Sequence, residues 1–331
     1  MRAAVIEKPG IITIKHVLDP KPRENEILIK VKASGICGTD IHIFRGEYLG
    51  GYPIIPGHEF SGIVVETGSS VTRFKSGDRV AVEPNISCNN CDPCLSNRQN
   101  FCKNWSAIGV TREGGMAEYV AVPEQAAFSI GNLDFPSAAL MEPLACVLHG
   151  VQKTGVSLAD RVAILGAGPI GLLLLNTILL KGASEITVLD KNESRLKRAE
   201  ESGASSVLTS FDNLPKDHFD LVIDATGVPQ IMQKTLDFVR EGGKILLFGV
   251  PPSNSKLIFD AFTIFRKGLS LHSSYTSVRN SIQAIRLLTS GRIQSKHIIS
   301  HQLPLDKLED GMTMISQGKE GVMKVIIDPS L

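Results

Sequence analysis

The sequence has no long apolar run, no excess of either charge, no basic block, no internal repeat and no low-complexity tract. Each absence removes a class of protein. The most apolar stretch, Ile170 to Leu180, is interrupted by Asn176 and is far shorter than the ~20 residues a membrane span needs, so it reads as a buried helix. Thirty-five Lys+Arg residues against 34 Asp+Glu leave a formal net charge of +1. That balance offers no electrostatic reason for nucleic acid or an anionic membrane as a partner. The first residues, Met1-Arg-Ala-Ala-Val-Ile-Glu-Lys-Pro, lack the apolar core and cleavage site of a signal peptide, and a cytoplasmic location is expected.

What is present is the composition of a globular chain, with 43% hydrophobic residues spread over 331 positions, a length that favours two domains. The first 150 residues carry short β-type runs separated by glycine and proline, such as Glu26–Ala33, Ser61–Thr67 and Arg79–Glu83. They predict an irregular, mostly antiparallel β domain. From about Asp160 strands and helices alternate. Arg161–Leu165, Glu185–Leu189, Asp220–Asp224 and Lys244–Phe248 read as strands; Ile170–Leu180, Glu193–Ser202 and Ile231–Arg240 read as helices. This order predicts an α/β, doubly wound parallel sheet. The tail is mixed: helix over Ser281–Thr289, an extended stretch at His301–Pro304, helix over Leu305–Gln317 and strand over Gly321–Ile327.

Gly166-Ala-Gly168-Pro169-Ile170-Gly171 falls between the first of those strands and the helix after it. In a dinucleotide turn the first glycine permits the tight bend, the second lets pyrophosphate approach the backbone, and the third lets helix pack on strand. The helix start then offers free N–H groups and a positive dipole end to the phosphates. Asp190 closes the next strand, at the distance expected of the acid that accepts hydrogen bonds from the ribose hydroxyls. A carboxylate there repels a 2′-phosphate, which favours NAD over NADP; Lys191 and Arg195 are nearby cations that soften the preference.

Four of the six cysteines, Cys88, Cys91, Cys94 and Cys102, fall within fifteen residues. In a large chain with no export signal such a cluster points to metal rather than disulfides. The spacing wraps four thiolates round one tetrahedral ion with no open position, the pattern of a structural zinc. An iron–sulfur cluster closes with a shorter last gap and a following proline, and a nucleic-acid-binding zinc ribbon needs a basic and aromatic surface that this lobe lacks.

A second constellation is scattered: Cys37 in Gly35-Ile-Cys-Gly-Thr-Asp, His58-Glu59 in Gly57-His-Glu-Phe, and Glu142 in Met141-Glu-Pro-Leu. Cysteine, histidine and carboxylate suit a catalytic zinc, but no local spacing joins them. Their order along the chain, together with the cysteine lobe, Gly114-Gly115-Met-Ala-Glu-Tyr and the glycine turn, resembles the zinc-containing medium-chain dehydrogenase/reductase (alcohol dehydrogenase) superfamily over nearly the whole length. Glu142-Pro-Leu, with His149 seven residues on, points to the polyol (sorbitol- and arabitol-type) branch.

The resemblance implies a mostly-β, GroES-like catalytic domain of residues 1–147 and 284–331, and an NAD-binding Rossmann domain of residues 148–283. It implies one catalytic Zn2+ among Cys37, His58, Glu59 and Glu142, one structural Zn2+ on the lobe, NAD as cofactor, and a homotetramer or homodimer. Thr39 and His42 match the family's proton-relay positions, with Glu59 beside them. The implied reaction is hydride transfer from a polyol or secondary alcohol to NAD, giving the ketone. L-threonine 3-dehydrogenation and a non-catalytic zinc- and dinucleotide-binding role are the alternatives. Tyr48, Phe101, Thr111 and Tyr275 are candidate substrate contacts. The Arg-Tyr pair of sorbitol dehydrogenases is missing, Ser274-Tyr275 being the nearest match.

Overall fold

The computed structural model describes residues 1–47 and 50–331. The chain forms two compact units. One comprises Met1–Ala145, Ser277–Gly291 and Ile299–Leu331; the other comprises Cys146–Thr276 and Arg292–Ile298.

The first unit is built on a seven-stranded sheet. Its order is Ile299–Pro304, Lys324–Asp328, Glu26–Gly35, Glu59–Thr67, Arg79–Val82 and Ala127–Ser129, with Tyr119–Pro123 also paired to Glu26–Gly35. All pairs are antiparallel except Ile299–Pro304 with Lys324–Asp328. Branched residues dominate the buried positions. Ile27, Ile29, Val31, Phe60, Val64, Val80 and Val82 close one core, which explains why these short runs hold as strands. Arg2–Lys8 and Ile11–His16 form a separate hairpin. The long strand Glu26–Gly35 is central to the sheet: its last residue, Gly35, pairs with Glu59 on one side and with Ile326 on the other.

The second unit is a six-stranded, all-parallel sheet in the order Ser206–Leu208, Glu185–Leu189, Arg161–Leu165, Phe219–Asp224, Val239–Leu247 and Ser270–Ser273. The order reverses at Arg161–Leu165, which makes it doubly wound, as the alternating pattern predicts. Pro169–Leu180, Glu193–Glu201 and Pro229–Phe238 are the intervening helices. One boundary differs. The strand expected from Lys244 begins at Val239, because Val239 pairs with Phe219 before a register shift carries the ladder to Leu221 and Lys244. Glycines at 242 and 243 hid this start from the sequence pattern. Among the described residues no helix is long and apolar enough to cross a membrane.

Candidate metal centres and dinucleotide site

The cysteine lobe is short turns rather than core. Cys91 precedes the one-turn helix Asp92–Leu95, and Cys102 follows the turn Gln99–Phe101. These turns bring Cys91 Sγ to 3.5 Å from Cys94 Sγ and 3.9 Å from Cys102 Sγ, while Cys102 Sγ lies 3.5 Å from Cys88 Sγ. A tetrahedral ion with zinc–sulfur bonds of about 2.3 Å places its sulfurs about 3.8 Å apart, so the lobe has the dimensions of a closed zinc site. Backbone N–H groups support the thiolate form: Cys88 N and Asn104 N both donate to Cys102 Sγ. The N–H of Asn90 is the main influence drawing the Cys88 thiol down to about 6, whereas burial pushes Cys94 up to about 11.

The second metal set lies in the same unit. Among the described residues, ligand atoms of Cys37, His58 and Glu59 all fall within 4.8 Å of one another. Tertiary structure creates this proximity. Cys37 caps the helix Gly38–Arg45, which begins directly after the strand ending at Gly35, and Glu59 opens the strand paired with Gly35. Asp40, fully buried, ties the pieces together. Its Oδ2 accepts the Cys37 N–H at 2.8 Å and its Oδ1 accepts the Gly57 N–H at 3.2 Å. Oδ1 also lies 3.4 Å from His58 Nδ1, a buried nitrogen with no hydrogen-bond partner among the described residues. Nδ1 facing a carboxylate leaves Nε2 for a metal, the usual carboxylate–histidine arrangement around zinc. Burial opposes a charge on His58, but Asp40 and then Cys37 hold its pKa well above the usual histidine value.

Lys324, buried on the strand Lys324–Asp328, donates to both oxygens of Glu59, at 2.8 and 2.6 Å, and to the Ile36 carbonyl at 3.2 Å. Burial works against its charge, yet Glu59, Cys37 and Glu142 outweigh it and hold its pKa above the ordinary lysine value. Glu142, buried in the first turn of the helix Met141–Thr154, is not one of the 4.8 Å set, although its charge reaches Lys324. The sequence pattern singled out neither Asp40 nor Lys324. Asp40 stands three residues after Cys37, the spacing of a helix-start carboxylate, and was legible on that ground. Nothing local marks Lys324.

Thr39 and His42 ride on the helix Gly38–Arg45, both half-buried, and His42 Nδ1 is 2.8 Å from Glu47 Oε2. Of the candidate substrate contacts, Thr111 spends its hydroxyl accepting the Ala107 N–H at 2.8 Å, and Phe101 is 54% exposed on the cysteine lobe. Tyr275 belongs to the second unit and Tyr48 lies outside the described residues.

In the second unit the glycine turn joins Arg161–Leu165 to Pro169–Leu180, with Gly168 as the helix cap. A Cβ at Gly171 would sit 1.9 Å from the Gly166 carbonyl oxygen, so only glycine lets the helix pack this close; at Gly168 a Cβ would meet nothing, leaving open space before the free N–H groups. Pro169 and Ile170 form the first turn of that helix. Asp190 Oδ2 accepts the Ala167 N–H at 2.8 Å and Oδ1 accepts the Asn192 N–H at 2.9 Å, so the acid is fastened to the glycine turn. Arg195 Nη1 stands 4.0 Å from Asp190 Oδ2.

A closed thiolate site, an open Cys–His–Glu set and a parallel sheet with a dinucleotide turn together define a metal- and nucleotide-using oxidoreductase. Comparison with known proteins agrees. The alcohol dehydrogenase GroES-like domain matches residues 23–132 and the zinc-binding dehydrogenase domain matches residues 169–290. The chain is 39% identical to D-altritol 5-dehydrogenase of Agrobacterium fabrum over 85% of this chain and 86% of that protein. It is 33% identical to L-threonine 3-dehydrogenase of Bacillus velezensis over 96% and 95%. A Sinorhizobium meliloti protein, described as a zinc-binding dehydrogenase and solved bound to NADP, superposes with a TM-score of 0.94 at 35% identity, covering 99% of each chain. The chain belongs to the zinc-containing medium-chain dehydrogenase/reductase family.

Proposed function

We propose that this protein oxidises a polyol or secondary alcohol to the ketone with NAD, using one catalytic zinc and one structural zinc. The three-residue Cys37, His58 and Glu59 set carries the proposal, because three protein ligands leave the exchangeable position that a structural site lacks. The residues present fit the metal: thiolate, imidazole and carboxylate donors converge, and the orphaned His58 Nδ1 faces a carboxylate. When bound, zinc supplies Lewis acidity toward the substrate hydroxyl and NAD supplies the hydride acceptor.

The chain's own residues do the rest. Asp40 orients His58 and draws in the backbone of Cys37. Thr39 takes the hydroxyl proton, and His42, oriented by Glu47, passes it on. Asp190 receives the ribose hydroxyls, the helix start at Pro169 receives the pyrophosphate, and Arg195 tempers the preference for NAD. Glu142 adds a second carboxylate beside the metal set. The first unit acts as the catalytic domain and the second as the NAD-binding domain. A cytoplasmic homodimer or homotetramer is part of the same proposal.

Threonine oxidation is the second reading, favoured by the relatives that carry out that reaction. It requires groups that recognise an amino acid's ammonium and carboxylate, which nothing in the sequence demands. NAD reduction measured across polyols, vicinal diols, simple alcohols and threonine, with zinc content determined alongside, separates the two. A preference for threonine overturns the polyol assignment, and NADH binding without turnover of any of them overturns catalysis itself.

A further inference from the structure

Resting on the zinc assignment above, we propose that Lys324 is a positioning residue that withholds Glu59 from full metal coordination and so keeps the metal's fourth position exchangeable. The geometry is unusually complete. A lysine ammonium has three protons, and here two go to the two oxygens of Glu59 and one to the Ile36 carbonyl. Both side chains are buried, with 5% and 1% of their surface exposed, so water cannot compete for either charge.

Gly35 makes the pairing possible. It lies between the strands that carry Glu59 and Lys324, and a Cβ there would stand 2.4 Å from Glu59 Oε2 and 3.4 Å from Lys324 Cδ. The carboxylate and the ammonium therefore meet across a position with no side chain. Charge balance points the same way. The thiolate of Cys37 and the carboxylates of Glu59 and Glu142 all lie within electrostatic reach of Lys324. With a divalent ion present, these three anions and one ammonium sum to neutrality. Without Lys324 a net negative site remains, in which Glu59 has no partner except the metal.

The decisive measurement is metal release into a chelator, followed by zinc analysis and by the visible absorption of the cobalt-substituted holoenzyme. In Lys324→Met, Glu59 should bind the metal outright, slowing release of the catalytic metal about tenfold or more, the scale on which groups behind a metal's ligands act. The cobalt spectrum should change and kcat should fall. The conservative Lys324→Arg should restore release and spectrum. The lobe zinc should stay in place in every variant. Release from Lys324→Met that is unchanged or faster than wild type overturns the proposal.

Should Lys324→Met fail to fold, the double variant Lys324→Met with Glu59→Gln strands no buried charge and carries the test. If Glu59 is withheld in the wild type, the double variant should release metal within about threefold of it. Release faster by about tenfold or more would mean that Glu59 is a full ligand, and the proposal fails. The zinc assignment fails separately: a wild type in which Cys37→Ser removes no zinc has no catalytic metal for Lys324 to govern, and both ideas fall.

Discussion

Asp40 Oδ1 lies 3.4 Å from His58 Nδ1 while the other oxygen of the same carboxylate accepts the Cys37 N–H, so one buried acid orients two residues of the metal set. Asp40→Asn keeps the shape and removes the charge. The expected outcome is a 10- to 100-fold loss of affinity for the catalytic metal, the usual cost when a histidine ligand loses its carboxylate. Chelator competition on the purified variant measures it, and zinc affinity equal to wild type would show that Asp40 serves only the fold.

The two metal sets should separate by mutation. Cys37→Ser or His58→Ala should abolish turnover while leaving NADH binding, followed by nucleotide fluorescence, nearly intact. Cys102→Ser should instead lose the lobe zinc and lower the melting temperature, because the lobe's turns have little core of their own and rely on the ion. Full turnover in either of the first two variants would defeat the metal mechanism.

Asp190 accepts the N–H groups of Ala167 and Asn192, one on each oxygen. Each oxygen retains a further lone pair for a ribose hydroxyl. Asp190→Ala should raise the NADP-to-NAD ratio of kcat/KM by about tenfold or more, the equivalent of one charged hydrogen bond lost and one repulsion removed. Steady-state kinetics with both nucleotides decide, and an unchanged ratio would refute the ribose role.

Asp220 should give the second unit a measurable pH dependence. Burial disfavours its charge, but the Arg161 N–H at 2.8 Å and the Arg240 and Arg161 side chains at 2.5 and 3.2 Å hold its pKa below the ordinary 3.8. A lowered folded pKa contributes stability above the unfolded value and loses it as pH falls through the folded one. Asp220→Asn should therefore cost about 2 kcal/mol at pH 7, and the gap to wild type should close below about pH 4. Denaturant titrations of both proteins across pH 3 to 7 test this; a gap that does not narrow on acidification rules out the ion-pair origin.

Much of this protein was written locally. Four cysteines within fifteen residues define their own cage, since a short chain can bend round one ion without help from distant segments. The glycine turn and Asp190 were legible for the same reason, as strand, turn and helix are neighbours in sequence. Alternating apolar runs announced the parallel sheet, although its edges at Ser206–Leu208 and Ser270–Ser273 were too short and too polar to show a period.

The metal set was decided elsewhere. Cys37, His58 and Glu59 come together because Glu26–Gly35 pairs with Glu59–Thr67, and a ladder's register depends on which faces can be buried across two strands at once. Lys324 reaches Glu59 across a separation of 265 residues, through a strand that joins the same sheet next to Gly35. Sequence alone thus determined the chemistry available: thiolates, an imidazole, carboxylates and a phosphate-binding turn. Tertiary structure decided which carboxylate faces the histidine and which is held by an ammonium, because only the packed sheet removes those charges from water and leaves each a single partner.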